Sequence, residues 1–349
     1  MTKRDVVIDA LEFRRPAYVP WSIDLTIECA ERLRKHLGVQ DLSDFLAPHF
    51  LTVGPGIHDF EKVGEHLVRD HYGTTWNREI DKDIGIPIDW PLKEPTLKGY
   101  RFPDPEDPKW YTGLRETLAG ANGRFTRFSI GFSLYERAWC MRGTEDLLMD
   151  MIERPEFVDE LMDAICEHNL VLVRHAIELG VDCIHFGDDY GSQRGLIMGL
   201  AHWRRFIKPR LARMYKAAAD AGKYVSQHSC GCVQELFDDL VEMGLNLFNP
   251  FQPEVMDVFE VKRRYHGRLA FHGGMSIQKT LPFGTVQEVR ELAGRLIDAG
   301  RDGGYVFAPS HAVPYDVPPE NLVAMVEVLK GQAGTADKVT RWQGDNVTK

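Results

Sequence analysis

Two side chains that bind soft metal ions are separated by a single residue near the middle of the sequence. His228 and Cys230 follow an apolar-leaning run that starts at Tyr224. If residues 223–227 form a strand, both side chains lie on the same side of the extended chain, because alternate residues share a face. An imidazole and a thiolate suit zinc, and a site with three protein ligands leaves a fourth position free for water or substrate. This spacing predicts part of a zinc site.

Further polar side chains follow other predicted strands. Asp188 and Asp189 follow residues 181–187, and His311 follows residues 305–309. In a parallel barrel the active site forms at the carboxyl ends of the strands, so these side chains would share one mouth. Taking such a set out of water is costly unless a metal or a substrate uses it. The residues predicted at this mouth are Asp188, Asp189, His228, Cys230, Asn249, His272 and His311.

His311 is the candidate third metal ligand. It is distant from Cys230 in sequence, but strand ends that are not neighbours meet around the axis of a closed barrel. Cys232 is a further candidate ligand, although Gly231 leaves its direction uncertain. The alternative role of Cys232 is that of a buried cysteine at the start of a helix.

Three carboxylates are candidate catalytic groups. Asp188 and Asp189 are adjacent, so on an extended chain only one of them can easily face the mouth, and the other would bind backbone or cap a turn. Glu136 follows the end of another predicted strand and could be a fourth metal ligand or a general acid whose pKa is raised in an apolar pocket. The alternative role of Glu136 is an ion pair with Arg137 or Arg142.

The elements that would position these groups alternate along the chain. From about residue 125, short β-branched or aromatic runs alternate with amphipathic helical stretches, a pattern typical of repeated strand–helix units. The chain thus predicts one (β/α)8 barrel over residues 1–330, with an eighth strand that the pattern does not locate. The predicted strands are 18–23, 125–132, 181–187, 223–228, 245–250, 269–273 and 305–309.

Two regions fall outside this rhythm. Residues from about 51 to 110 are rich in Pro, Gly and charge, and such a long stretch without clear periodicity usually caps or lids a site, so an insertion is predicted there. Residues 331–349 are predicted to be a frayed or partner-bound tail.

The composition limits the classes of function. The chain has 349 residues, 44% of them hydrophobic, without an apolar run long enough to span a membrane. The net charge of −10 and the lack of a block of Lys and Arg argue against nucleic acid or an anionic membrane as the main partner. The start of the chain has no secretion-signal pattern, and six cysteines in a chain of this length do not form a disulfide framework, so a cytoplasmic location is predicted.

Three segments of the sequence resemble the uroporphyrinogen decarboxylase superfamily. They are residues 10–20, the His-Ser-Cys-Gly segment at 228–231 and residues 308–321, and the resemblance follows nearly the whole chain in order. It implies a distorted (β/α)8 barrel of the TIM type. It also implies one of two activities, which are cofactor-free decarboxylation of a tetrapyrrole and zinc-dependent methyl transfer to or from a corrinoid protein.

The matching residues favour the methyltransferase branch. The decarboxylase branch carries an Arg-Gln-Ala-Gly-Arg segment near the N-terminus for the acidic groups of its substrate, whereas residues 21–26 here contain Asp24 instead. The methyltransferase branch carries a His-x-Cys zinc motif, which His228 and Cys230 match, and a later cysteine, whose place His311 takes. An imidazole in place of a thiolate makes the site one charge more positive, which favours activating an oxygen or polarising a methyl ether.

The resemblance therefore implies a zinc-dependent methyltransferase that moves a methyl group between a small O-, N- or S-methyl compound and cobalamin carried on a corrinoid protein. Glu136 or Asp188 would manage the proton. One alternative is a cofactor-free decarboxylase or lyase acting on a small carboxylic acid. The other is a non-catalytic binding protein that has kept the barrel.

Overall fold

The computed structural model describes residues 1–332 and has a curled sheet of seven parallel strands at its centre. In chain order the strands are β1 (Phe50–Val53), β2 (Phe60–Lys62), β3 (Leu67–Asp70), β4 (Thr75–Asn77), β5 (Ile86–Asp89), β6 (Phe125–Ile130), β7 (Cys183–Gly187), β8 (Gly191–Ser192), β9 (Gly195–Leu196), β10 (Tyr224–His228), β11 (Leu247–Phe251), β12 (Ala270–Met275) and β13 (Tyr305–Pro309). The central sheet has the order β1-β6-β7-β10-β11-β12-β13. The strands therefore follow one another around it in sequence order, as in a strand–helix barrel.

Helices connect these strands. They are α1 (Lys3–Leu11), α2 (Ile27–Leu37), α3 (Ser43–Leu46), α4 (Leu114–Ala119), α5 (Tyr135–Arg142), α6 (Thr144–Glu153), α7 (Pro155–Leu179), α8 (Gly199–His202), α9 (Lys208–Asp220), α10 (Phe237–Glu242), α11 (Val258–Arg264), α12 (Thr280–Phe283), α13 (Val286–Gly300) and α14 (Pro319–Gly331). Within residues 1–332, none of them is both long and apolar enough to cross a membrane.

Helix α13 illustrates how the sequence specifies an outer helix. It starts with a capping box, in which the Thr285 hydroxyl accepts from the Glu288 backbone N–H and the Glu288 carboxylate accepts from the Thr285 backbone N–H. Val289, Ala293 and Leu296 then recur at helical spacing and are buried. This apolar stripe packs the helix onto the barrel.

The segment around Trp21 closes the curled sheet. On one side the Ser22 N–H donates to the Phe307 carbonyl at 3.0 Å, and the Phe307 N–H donates to the Pro20 carbonyl at 2.8 Å. On the other side the His49 N–H donates to the Trp21 carbonyl at 3.3 Å. The barrel is thus closed by a bridge between β13 and the residue that precedes β1.

The predicted (β/α)8 barrel is confirmed, with two differences in its strands. Residues 18–23, predicted as a full strand, form only an isolated bridge from Trp21. The strand that the pattern did not locate is β1, so the insertion predicted from about residue 51 begins inside the barrel wall. Of the predicted tail, 331–349, Gly331 is the last residue of α14, and the part from residue 333 onward lies outside the described residues.

An antiparallel sheet of β2, β3, β4 and β5 packs beside the mouth of the barrel. Trp76 of this sheet contacts Trp139 of α5, with the ring centroids 6.3 Å apart. Asp70 forms a buried ion pair with Arg137, also on α5, at 2.8 Å. Because α5 follows the carboxyl end of β6, these contacts hold the sheet next to the strand ends.

The interior of the barrel has an apolar floor and a polar layer above it. Alternate residues of each strand face the axis. The inward-facing residues nearest the start of the barrel strands form one buried cluster. That cluster includes Phe50, Phe125, Cys183, Leu247, Ala270 and Val306. Two residues further along β6, Arg127 donates to Thr52, and two residues further along β7, His185 bonds Ser226. Polar groups thus fill the barrel directly below its mouth.

Candidate metal centre

His228 is held in one orientation at the end of β10. Its Nδ1 atom lies 2.7 Å from the Oδ1 atom of Asn249 at the neighbouring position of β11. The amide of Asn249 is oriented in turn, because its Nδ2 donates to the His272 carbonyl at 3.1 Å. An amide oxygen only accepts, so Nδ1 carries the proton and Nε2 keeps its lone pair. That free nitrogen lies 3.4 Å from the Cys230 sulfur.

Cys230 lies in a loop that packs tightly against the segment after β7. Its backbone N–H donates to Asp189 Oδ1 at 2.7 Å. The next residue, Gly231, has φ +86°, and a Cβ there would lie 2.4 Å from the carbonyl carbon of Gly191. Only glycine allows this approach. The loop therefore fixes the position of the Cys230 sulfur relative to His228.

His311 follows β13 and completes a group of three donors. Its ring centroid is 5.6 Å from that of His228. One ligand atom each from His228, Cys230 and His311 lie within 4.8 Å of one another. Bonds of about 2.0–2.3 Å at tetrahedral angles place donors about 3.3–3.8 Å apart. The three atoms would therefore contract by about 1 Å around zinc, and His311, which is exposed, has room to move.

The surroundings of Cys230 call for a cation. Burial raises the pKa of the Cys230 thiol, and the nearby charges of Asp189 and Glu136 raise it further. A thiolate therefore needs positive charge beside it, which a divalent metal would supply. Two imidazoles and a thiolate are a donor set that zinc prefers. The residues thus fit the metal that the sequence predicted.

Cys232, the other candidate ligand, is not in this group of donors. Its backbone N–H donates to the Ser192 carbonyl at 2.7 Å, and the chain turns into a short 3-10 helix at Gln234–Leu236. Within residues 1–332 the potential ligand set is His228, Cys230 and His311.

Glu136 lies in the first turn of α5 and is largely buried. Burial raises its pKa well above the ordinary value, and the charges of Asp189 and Asp188 act in the same direction. The alternative ion pairs are not formed, because Arg137 pairs with Asp70 and Arg142 pairs with Asp150. The raised pKa gives Glu136 the property of a general acid.

The two adjacent aspartates take different directions. Asp188 is fully buried and points at the start of α5, whereas Asp189 Oδ1 lies 3.5 Å from His228 Nε2. Burial raises the pKa of Asp188 to about 7, against the lowering effect of the backbone N–H groups that it binds. Those donors are the N–H groups of Leu134, Tyr135 and Glu136, at 3.0, 2.8 and 2.6 Å. Asp188 therefore positions α5 and Glu136, as the sequence predicts for one of the two aspartates, while Asp189 faces the mouth.

His272 does not lie at the mouth, where the sequence placed it. Strand β12 continues three residues past it to Met275, so its 2%-exposed side chain lies within the barrel. Its Nε2 is 2.7 Å from the Ser22 hydroxyl, and its ring stacks on Phe50. Burial, followed by the charges of Arg127 and His228, lowers the pKa of His272 to about 3. It is a neutral residue of the polar layer.

Sequence reasoning missed Arg127 and His185, two further members of that layer. Each stands inside a strand at a position that shares its face with a buried neighbour two residues earlier. A charged residue on the inward face of a strand is the signal that could have identified Arg127.

The chain is similar to known proteins over more than half its length. A family model described as Uroporphyrinogen decarboxylase (URO-D) matches residues 132–332. A uroporphyrinogen decarboxylase of Syntrophotalea carbinolica is 26% identical over 185 residues, and one of Chlorobium phaeobacteroides is 24% identical over 195 residues. These alignments cover 51% and 52% of this chain but only 50% and 51% of the two proteins. The matched part thus spans about half of each curated relative.

A solved structure has the same fold along nearly the whole chain. It is described as a methyltransferase from Methanosarcina mazei, with a TM-score of 0.69 and 16% sequence identity. The superposition covers 95% of this chain and 99% of that one. At this identity the likeness shows a shared barrel.

Proposed function

Because the chain belongs to the uroporphyrinogen decarboxylase family, we propose that it is a zinc-dependent methyltransferase of that family. It would move a methyl group between a small O-, N- or S-methyl compound and cobalamin carried on a corrinoid protein. The observation that carries the proposal is the group of donor atoms from His228, Cys230 and His311, which lie within 4.8 Å of one another. Two nitrogens and one sulfur leave a fourth position for a substrate heteroatom.

Zinc held by these three residues would supply a Lewis acid that lowers the basicity of the heteroatom from which the methyl group departs. The protein contributes the orientation of the donors. Asn249 fixes the proton of His228 on Nδ1, so that Nε2 is free. Asp189 accepts from the Cys230 N–H and holds the loop that carries the sulfur.

Glu136 is the group suited to proton transfer. Loss of a methyl group leaves an oxygen, nitrogen or sulfur with an additional lone pair, and the raised pKa of Glu136 allows its carboxyl to provide a proton there. Asp188 positions this acid, because it accepts the backbone N–H of Glu136 itself. In the reverse direction, methylation of a small acceptor, Glu136 would take up the proton that the acceptor loses.

Decarboxylation is the second candidate, since both curated relatives carry that activity in their names. A tetrapyrrole with eight carboxylates would meet Asp24 where that branch carries arginines. This charge disfavours uroporphyrinogen itself and leaves a smaller carboxylic acid as the substrate of that alternative.

The test combines elemental analysis with methyl transfer to cob(I)alamin from a panel of methyl ethers, methylamines and thioethers. We expect one zinc per chain, lost in His228→Ala and strongly weakened in Cys230→Ser. Cys232→Ser is the matched control, because it removes a nearby sulfur outside the donor group, and it should keep both zinc and activity. Decarboxylation by zinc-free protein would replace this function with the second candidate, and binding without turnover of any kind would replace it with a binding protein.

A further inference from the structure

Arg127 is a buried cation that forms no ion pair with a carboxylate among residues 1–332. It faces the barrel interior from β6 and is 9% exposed. Its Nε donates to the Thr52 hydroxyl at 3.1 Å, and its guanidinium carbon lies 5.4 Å from the centroid of the Phe50 ring. Its two terminal nitrogens form neither a hydrogen bond nor an ion pair with the described residues. An uncompensated buried charge is costly, so it calls for a ligand that supplies the missing partner.

A cavity of about 390 Å³ adjoins this guanidinium. One of its walls is formed by Ser22, Phe50, Thr52 and Arg127 of the barrel. The opposite wall comes from α2 and the segment 41–48. Its volume is within the range of about 300–1,000 Å³ that is typical of small-molecule sites. The cavity therefore combines room for a small compound with an unpaired cation in its wall.

Hydrogen bonds connect this cavity to the metal centre. The Ser22 hydroxyl in its wall bonds His272 Nε2 at 2.7 Å. The His272 carbonyl accepts from Asn249 Nδ2 at 3.1 Å, and Asn249 Oδ1 lies 2.7 Å from His228 Nδ1. The cavity and the metal centre are thus linked through His272 and Asn249.

We propose that Arg127 binds an anionic group, such as a carboxylate, on the small molecule that occupies this cavity. The identification of that molecule as the methylated substrate rests on the proposed methyltransferase function, whereas the anion site itself does not. Two terminal nitrogens of a guanidinium match the two oxygens of a carboxylate, and Thr52 orients the group by binding Nε. Leu42 and Leu46 in the other wall offer apolar surface for the rest of the molecule.

Asp24 is the competing partner. It lines the same cavity and is exposed, and the two side chains form no ion pair. Burial lowers the pKa of Arg127, whereas the charge of Asp24 acts to raise it. If Asp24 served only to neutralise Arg127 through solvent, its removal would destabilise the fold. If the cavity binds anions, Asp24→Asn removes a repulsive charge and leaves anion binding equal or tighter.

The probes are benzoate and its uncharged isostere benzamide, titrated by calorimetry into the purified full-length protein. We expect benzoate to bind and benzamide to bind at least about tenfold more weakly, as charged hydrogen bonds are worth about 1.5–3 kcal/mol. Arg127→Met should weaken benzoate by a similar factor while it keeps or raises Tm, because it also removes an uncompensated buried charge. Arg115→Met, at an exposed position outside this cavity, is the matched control and should leave benzoate binding unchanged.

Arg127→Lys provides a second variant in case the methionine variant does not fold. It keeps the charge and loses the paired donors, so we expect benzoate to bind several-fold more weakly at unchanged Tm. Equal binding of benzoate and benzamide, undiminished benzoate binding in both Arg127 variants, or no benzoate binding at millimolar concentration would overturn the inference.

These outcomes are separate from those of the proposed function. Protein that takes up no zinc and transfers no methyl group, but binds benzoate through Arg127, would refute the methyltransferase and leave the anion site. Protein that transfers methyl groups with zinc, but binds benzoate equally well after Arg127 is replaced, would refute the anion site alone.

Discussion

The Nδ1 atom of His228 lies 2.7 Å from the Oδ1 atom of Asn249, one strand away. This contact determines which ring nitrogen faces the Cys230 sulfur. It is therefore as much a part of the candidate zinc site as the ligands themselves.

Replacing Asn249 with Leu should weaken zinc binding by about 10–100-fold, because the His228 ring loses the acceptor that fixes its tautomer. Zinc affinity is measured by competition with a chromogenic chelator. Asn249→Asp retains an acceptor for the Nδ1 proton but loses the donor to the His272 carbonyl, so its zinc affinity should fall less than that of the leucine variant. Equal zinc affinity in the leucine variant would show that the contact does not orient a ligand.

Replacing Gly231 with Ala should displace the Cys230 loop. The new Cβ would lie 2.4 Å from the Gly191 carbonyl carbon at a φ of +86°, a conformation that costs an L-residue about 1–2 kcal/mol even without the clash. We expect both the Tm and the zinc affinity to be lower than in the unmodified protein. Thermal unfolding measures the first, and chelator competition measures the second.

The matched control for this change is Gly294→Ala. Gly294 lies inside α13 with no heavy atom within 4 Å of its added Cβ. Alanine there should stabilise the fold by up to about 1 kcal/mol through helix propensity and leave zinc binding unchanged. If both alanine variants keep zinc equally well, the Cys230 loop does not depend on the glycine.

Replacing His311 with Cys should keep zinc and change the preferred methyl donor. A second thiolate lowers the positive charge of the site and makes the metal a weaker Lewis acid. We expect turnover with oxygen and nitrogen donors to fall relative to thiol chemistry, measured as the ratio of kcat/KM across the donor panel. His311→Ala is the companion variant, and it should reduce methyl transfer far more than Tm. An unchanged donor ratio in the cysteine variant would place the chemistry elsewhere.

Glu136 should make the metal-free protein less stable as the pH rises. Its pKa is raised in the folded state, so above the unfolded value of 4.5 the native protein holds a proton that the unfolded chain releases. The contribution of Glu136 to the free energy of unfolding then falls with increasing pH, from about 4.5 up to the folded pKa, by at most about 1.4 kcal/mol per pH unit. Urea unfolding between pH 4.5 and 8 measures this slope.

Glu136→Gln removes this contribution, so the slope of the free energy of unfolding against pH should become more positive over that range. Asp188 and His272 contribute to the slope in both proteins, because their pKa values are shifted as well. Glu145→Gln, at an exposed position at the start of α6, is the control and should keep the original slope. A glutamine variant at position 136 whose free energy of unfolding has the same slope against pH as the control would contradict the assignment of Glu136 as an acid with a raised pKa.

The barrel and the composition of its mouth could be read from local patterns. The alternation of strand and helix segments predicts the fold class, because the pattern of each segment is contained in a short stretch of sequence. His228 and Cys230 are close in sequence, so their spacing predicts that they lie together, although β10 ends at His228 and contacts of the following loop hold Cys230. His311 needed only one further assumption, that the strand ends of a closed barrel converge.

Other features depended on contacts between distant residues. Strand β1 has four residues next to a Pro- and Gly-rich region, and only its pairing with β6 and the bridge to Trp21 make it part of the barrel wall. Asp188 and Asp189 are identical side chains in sequence, and what separates them is that α5 presents its N–H groups to one of them. Likewise, Arg127 reads as an ordinary arginine until the described side chains leave its terminal nitrogens unpaired. Residue type and spacing determine which groups a strand can present, whereas burial and pairing depend on segments far away in the chain, which no local pattern contains.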